Sequence, residues 1–573
     1  MSGPIVNLTF PAGHKIEKVG EWMALMTGFE REAQTLTSLL LAEFKGGLFI
    51  NNEFVSGEDG KTIDVVNPST GKVIGAVSEA SAKDVDRAVS VNLPCSKKIS
   101  EELPFSDPSS CTSREAAEKA FNTVWGEKVP GHARGKMLMD LANLFDEHAD
   151  IIASIESIDN GKAFGFSRNF DVTEAAACLR YYAGWADKDH GKVIEVDDSK
   201  LAYTRHEPIG VVGQIIPWNF PILMFCWKLG PALATGNTIV IKVAESTPLS
   251  ALYAAHLVAK VFPPGVVNVI TGYGHITGAA ISSHMKISKV AFTGSTAVGR
   301  TIMRSAASSN LKNVTLELGG KSPNIIFDDA DLEQAAGWAC FGLFFNHGQV
   351  CSAGSRVYVQ EGIYDKFLAL LTQKVHALKV GSPFADDTFQ GPQTSELQHT
   401  RIMAHIQSGQ DEGATLHTGG NRHGTEGFFI EPTIFTDVKP DMKIVREEIF
   451  GPVLVVSKFK DEDDTVFSRD ISRAIGTAHK LHAGPGSGSL DLTNPVPPCF
   501  SELSGLIAIT SSTPRFLSVR DNFRFPFGLH LISVSVSGGF KESGIGRELG
   551  EYALHNYTAV KAVHVNLHGK TPL

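Results

Sequence analysis

The chain has 573 residues, 43% of them hydrophobic and 20% charged, with a formal net charge of −10. That length exceeds a single hydrophobic core and predicts two or three domains. The acidic balance, without a Lys or Arg run longer than two, argues against a nucleic-acid footprint, and no apolar stretch reaches the ~18 residues of a membrane span. Small molecules are the expected partners.

The seven cysteines (Cys95, Cys111, Cys178, Cys226, Cys340, Cys351 and Cys499) are odd in number, scattered and never in C-x-x-C pairs. That usage fits a reducing compartment without structural zinc or another metal site. No signal-type or Arg-rich amphipathic segment is visible near the start, and Thr571-Pro572-Leu573 is no peroxisomal tripeptide, so a cytoplasmic location is expected.

In chain order, Gly20 to Phe44 carries Trp22, Leu25, Met26 and Leu39 to Leu41, enough for an amphipathic helix of unreadable function. From Val85 the apolar positions step by four to Val89, and then a polar stretch, Val91 to Ser113, intervenes with Pro94, Pro104 and Pro108 inside it. A helix cannot run through that. With residues 91–113 set aside, Ala116, Ala120 and Val124 fall four, eight and twelve positions after Val89, restoring one apolar face from Val85 to Val124.

The middle of the chain alternates strand and helix. Ile209–Ile216 is an apolar strand ending in the turn Pro217-Trp218-Asn219-Phe220-Pro221; a helix follows. Thr238–Lys242 is a second strand, Thr247–Val261 a helix, and Val266–Ile270 a third strand. Then come the strand Val290–Thr293, the turn Gly294–Gly299 and a helix Arg300–Ala306. Such alternation predicts a parallel, helix-covered sheet. Free N–H groups at the last helix start suit a phosphate, although a Gly/Ser helix cap reads equally well from G-S-T-x-x-G alone. Lys242 and Glu245 fall at the C-terminal edge of the sheet, where a carboxylate can take both ribose hydroxyls and repel a 2′-phosphate.

Glu317 leaves the apolar run Val314, Leu316, Leu318 and enters Gly319-Gly320, so it ends a buried strand facing a tight turn. Cys351 follows 34 positions later in F-F-N-H-G-Q-V-C-S-A-G-S-R. An apolar-flanked cysteine is by itself more often a packing residue. Here Gly348 and Gly354 bracket a polar loop of Asn346, His347, Gln349 and Ser352. An unassisted thiol is only a few per cent ionised near neutral pH, so a nucleophilic Cys351 needs a base or a field, and Glu317 is the candidate base.

These segments resemble the NAD(P)-dependent aldehyde dehydrogenases, of the broad type acting on small aliphatic aldehydes. The resemblance rests on P-W-N-F-P at 217–221, K-V-A-E at 242–245, F-T-G-S at 292–295, L-E-L-G-G-K-S-P at 316–323, G-Q-V-C at 348–351, E-E-I-F-G-P-V at 447–453 and S-G-I-G-R-E-L-G-E-Y at 543–552. It covers most of 46–466 and 538–566. It implies an α/β fold: a Rossmann-like cofactor domain (46–188 and 209–319), an α/β catalytic domain (320–556) and a β oligomerisation arm (189–208 with 557–573), behind an atypical extension over 1–45. It also implies NAD as cofactor, preferred over NADP because of Glu245, and a homodimer or homotetramer.

By the same resemblance Cys351 is the nucleophile, forming a thiohemiacetal and then a thioester. Asn219 and the Cys351 N–H hold the oxyanion, and Glu317 activates the hydrolytic water. Ile215, Pro217, Trp218, Lys242, Glu245, Gly294, Ser295, Glu448 and Phe450 contact the cofactor. Phe220, Trp227 and Phe345 line the aldehyde entrance, although core packing is the ordinary fate of such aromatics.

The chain departs from the family pattern in four places: 20–44, 91–113, the loss of about a strand's length, roughly a dozen residues, after Val466, and 484–537, rich in Ser and Pro. In the last of these Val536-Ser537 stands where the family has Pro-Phe. The restored helical period suggests that 91–113 and 484–537, and also 20–44, derive from retained introns or shifted exon borders. A mature transcript encoding Val91–Ser113 in frame would remove the idea for that segment. An active dehydrogenase, a weakened isoform of the same fold and an NAD-binding pseudoenzyme used in assembly all remain open at this level.

Overall fold

The structure is a computed structural model that describes residues 4–6, 44–89, 116–460, 536–539 and 541–567. The segment 91–113, nearly all of 20–44 and 484–537, and the junction after Val466 lie outside the described residues.

The larger sheet has eight strands. Its centre is five parallel strands, in spatial order Asn313–Leu318, Lys289–Gly294, Val211–Ile215, Thr238–Lys242 and Val267–Ile270. Both Val211–Ile215 and Thr238–Lys242 are buried at every position, because Val and Ile on both faces are covered by helices. The chain moves outward through three strands and returns to place Lys289–Gly294 beside Val211–Ile215. That reversal opens a crevice at the carboxyl ends of those two strands, the place where open α/β sheets accept ligands. Gly544–Ile545 closes one edge, antiparallel to Asn313–Leu318.

Helices Ala82–Val89 and Ala117–Thr123 both pack over Thr238–Lys242. Val85, Val89 and Ala116 share one apolar cluster, and Ala120 is buried as well. The expected face fails only at its end: Val124 is 45% exposed, because it caps the second helix at φ −122°, ψ −3°, and the chain leaves the sheet there. A second expectation shifts. The helix after Gly294 begins at Thr296 and runs to Ser308, so Gly299 lies inside it and the turn is shorter than Gly294–Gly299. One interior glycine costs only about 1 kcal/mol, too little to hold back a helix packed on a sheet.

The second sheet has five strands in the order Pro323–Ile326, Arg356–Gln360, Val453–Phe459, Thr433–Thr436 and Thr415–Thr418, all parallel except the last. A third, three-stranded antiparallel sheet joins Val193–Ile194, Lys200–Pro208 and Thr558–Asn566. It leaves Val193, Val196, Val560 and Leu567 more than half exposed.

The C-terminal segment is locked to the larger sheet by charge. Lys228, fully buried in the apolar helix Pro221–Ala234, pairs with Glu548 and donates to Thr293 Oγ1 at 2.6 Å. Burial lowers neighbouring Lys289 to about 7, against the opposing pull of Glu548. Removing one partner of a buried pair strands the other charge. Glu548→Ala is therefore expected to destabilise the fold by about 3–5 kcal/mol. Thermal or urea unfolding reads this, and a wild-type midpoint would show that the pair contributes nothing.

Candidate active site

Helix Leu332–Phe344, capped by Asp331 through Glu333 N and Gln334 N, delivers the chain into the turn that precedes Cys351. Asn346 (φ 50°), His347 (φ 61°) and Gly348 (φ 74°) are all left-handed. Such a run persists only where the surroundings over-determine it. At Gly348 the cause is contact: a Cβ would stand 2.1 Å from the Gly451 carbonyl oxygen. His347 is buried, and burial together with the Lys162 charge pushes it down to about 3. It is a neutral imidazole, so it supplies no positive field to a thiolate. Cys351 itself is half-buried.

The strand Val211–Ile215 reaches the same place from the other sheet. Asn219, buried in the turn before Pro221, donates from Nδ2 to the Gln349 carbonyl at 2.9 Å. Its own carbonyl accepts from Asn346 Nδ2 at 2.9 Å and Lys162 Nζ at 3.4 Å. Asn160 Nδ2 holds the Trp218 carbonyl at 2.7 Å. The turn 217–221 is thus held by buried donors at two successive backbone acceptors, the Trp218 and Asn219 carbonyls.

Glu317 sits one residue from the end of Asn313–Leu318, opposite Thr293 on one side and Gly544 on the other. The following glycines admit a second carboxylate. Glu448 Oε1 accepts from Gly320 N at 3.1 Å, and a Cβ on Gly319 would fall 1.9 Å from the Glu448 carboxylate. Burial raises Glu448 to about 7, against the opposing pull of the Gly320 N–H and Lys321. A small cavity lined by Gly320, Gly348, Val350, Glu448 and Phe450 joins the turn after Glu317 to the turn before Cys351.

The remaining residues expected to contact the cofactor fall at the carboxyl ends of the parallel strands or in the turns that follow them. Buried Lys242 donates to Val243 O at 3.0 Å and Glu245 Oε2 at 2.9 Å. Gly294 ends its strand, and Ser295 stands at the N-cap of Thr296–Ser308. Trp218 meets Phe450 edge to face at 5.2 Å, and Ile215 and Pro217 lead into that contact. Phe220 and Phe345 belong to one aromatic group, their rings 6.0 Å apart, with Phe170 5.2 Å from Phe345. Trp227 is half-buried against the main core, with no hydrogen-bond partner for Nε1 among the described residues.

Several supporting residues were not singled out from the sequence: Asn160, Lys162, Asp171, Lys228, Glu548, and Asn346 as more than a loop residue. Lys162 pairs with Asp171, both fully buried, and stands 4.1 Å over the Phe220 ring. A signal did exist. In A-D-I-I-A-S-I-E-S-I-D-N the residues Asp150, Ser154 and Ser157 already make a polar face, and Glu156, Asp159 and Asn160 fall among the apolar positions instead, so they cannot all face water.

Two helix-flanked sheets with a cysteine-bearing turn lodged against the carboxyl ends of the larger one define an α/β enzyme fold. The aldehyde dehydrogenase family model matches residues 94–484. Aldehyde dehydrogenases of Agaricus bisporus and Aspergillus niger are each 54% identical, over 91% of this chain and 95% of theirs. Among solved structures, the NAD+ complex of an aldehyde dehydrogenase from Bacillus cereus is 41% identical at a TM-score of 0.77, covering 91% of this chain and 96% of that one. Betaine aldehyde dehydrogenase from Staphylococcus aureus, in complex with NAD+, is 34% identical at 0.78, covering 94% and 98%. The chain belongs to the aldehyde dehydrogenase family.

Proposed function

We propose that this chain oxidises an aldehyde to a carboxylic acid with NAD, through a thiohemiacetal and a thioester on Cys351. The observation that carries the reading is the 2.9 Å bond from the Asn219 amide to Gln349 O, across 130 residues of sequence, which sets an amide beside the cysteine turn. The Cys351 thiolate adds to the carbonyl carbon. The oxygen turns negative and is held by the second Asn219 N–H and the Cys351 backbone N–H. Glu317, at the adjoining strand end, takes a proton from the water that later cleaves the thioester, releasing acid and thiol.

The crevice suits NAD: buried Lys242 aligns Glu245 for vicinal hydroxyls, the 296–308 helix start offers N–H groups to phosphate, and Gly319 leaves room for Glu448 beside the turn. When bound, the oxidised nicotinamide supplies the two-electron acceptor that converts thiohemiacetal to thioester. Trp218 and Phe450 wall the site. The exposed apolar residues of the three-stranded arm support self-association as a dimer or tetramer.

NAD-dependent acid formation from acetaldehyde tests the reading. No NADH release from the folded full chain would instead favour the weakened isoform or the pseudoenzyme. A pH effect is also expected. Burial raises Glu448 to about 7, so its hydroxyl-accepting anion is populated above that pH and lost as pH falls through it. KM for NAD should rise below pH ~7, and Glu448→Gln should flatten the rise; an unchanged profile in the variant would reassign it.

A further inference from the structure

The amide of Asn219 cannot stabilise a developing oxyanion unless it is held in direction, and one buried side chain ties its backbone to the cysteine turn. Asn346 is 2% exposed, and its Nδ2 donates both to Asn219 O at 2.9 Å and to Gln349 O at 3.2 Å. Asn219 Nδ2 donates to that same Gln349 carbonyl at 2.9 Å. The result is a closed ring: Asn346 side chain to Asn219 backbone, Asn219 side chain to Gln349 carbonyl, and back. Gln349 lies two residues before Cys351.

Resting on the assignment of Asn219 as oxyanion donor, we propose that Asn346 is a positioning residue that fixes the separation between that donor and the cysteine turn. An amide is planar, so tying one Asn219 N–H to Gln349 O sets the direction of the other, the one that meets the reacting oxygen. Asn346 anchors the backbone of the residue that carries this amide. The residue type follows from two demands at once. The backbone is left-handed (φ 50°, ψ 36°), which asparagine tolerates better than most residues, and the side chain must donate to two carbonyls. Glycine meets the first demand and not the second, so substitution separates backbone conformation from the amide.

The test uses the full chain with saturating NAD and acetaldehyde. Asn346→Gly is expected to lower kcat about 10–100-fold and to change KM less than about threefold, since a misdirected oxyanion donor acts on the transition state rather than on binding. Asn346→Ser, whose hydroxyl can donate one of the two bonds, should fall between, and it carries the comparison if the glycine variant does not fold. In an Asn219→Ala background the same Asn346 changes should cost less than about threefold, because both act through one amide.

A wild-type kcat in Asn346→Gly overturns the proposal. Equal losses with and without the Asn219 amide overturn it too, since a residue that merely supports the loop would behave that way. If Asn219→Ala alone keeps full kcat, the oxyanion assignment itself falls. If Asn219→Ala is slow while Asn346→Gly is normal, only the present inference falls.

Discussion

Cys351→Ser is expected to stop NADH release from acetaldehyde almost completely, by a factor on the order of 10⁴ or more, while leaving the fold and NAD binding intact. The swap exchanges a sulfur that ionises near pH 8.5 for a hydroxyl that does not ionise in water at usable pH, with little change in volume. His347, held neutral at a pKa of about 3, offers no compensating charge. Binding of NAD, followed by fluorescence, should persist, because Lys242 and Gly294 end strands of the other sheet and Glu245 lies in the turn after Lys242. Retained turnover in the serine variant would falsify the assignment of Cys351 as nucleophile. Loss of NAD binding together with activity would instead mean that the substitution had disturbed the turn Phe345–Gly348.

Glu317→Gln should produce a different failure. If the carboxylate activates the hydrolytic water, the variant still forms the thioester, so mixing with aldehyde and NAD gives one rapid burst of NADH per active subunit. Slow turnover follows, reduced about 10²–10⁴-fold, the usual range for loss of a general base. Rapid-mixing kinetics distinguish this from a base needed earlier: a vanished burst would place Glu317 at thiol ionisation. The amide keeps the size of the group opposite Thr293 and Gly544, so the strand pairing should hold.

Much of this was legible in the residues themselves. Asn219, Glu317 and Cys351 each leave a strand or helix beside a proline or glycine turn, and turns of that kind announce themselves locally. The five parallel strands follow from runs such as Thr238–Lys242, apolar on both faces. Three things were hidden for a common reason. A polar residue inside a helix reads as a wet face, so Lys228 gave no sign that its partner Glu548 lies 320 positions away, Lys162 and Asp171 gave none that they are buried together, and Asn346 looked like an ordinary loop asparagine. The exposure of Val124 depended on where a helix ends against its neighbours, and the start at Thr296 on packing that outweighs a glycine. Neither is a property of a short window.

The bond between Lys228 and Glu548 spans 320 positions. During synthesis from the N-terminus the five parallel strands of the larger sheet emerge long before the segment that pairs with its buried lysine. Until then Lys228 must stay hydrated, which keeps its helix from seating fully on the sheet. The nascent cofactor half therefore waits in an unfinished state for the last few dozen residues. Loss of the C-terminus would be felt as a failure of that distant half to mature, rather than as a local fraying of the arm.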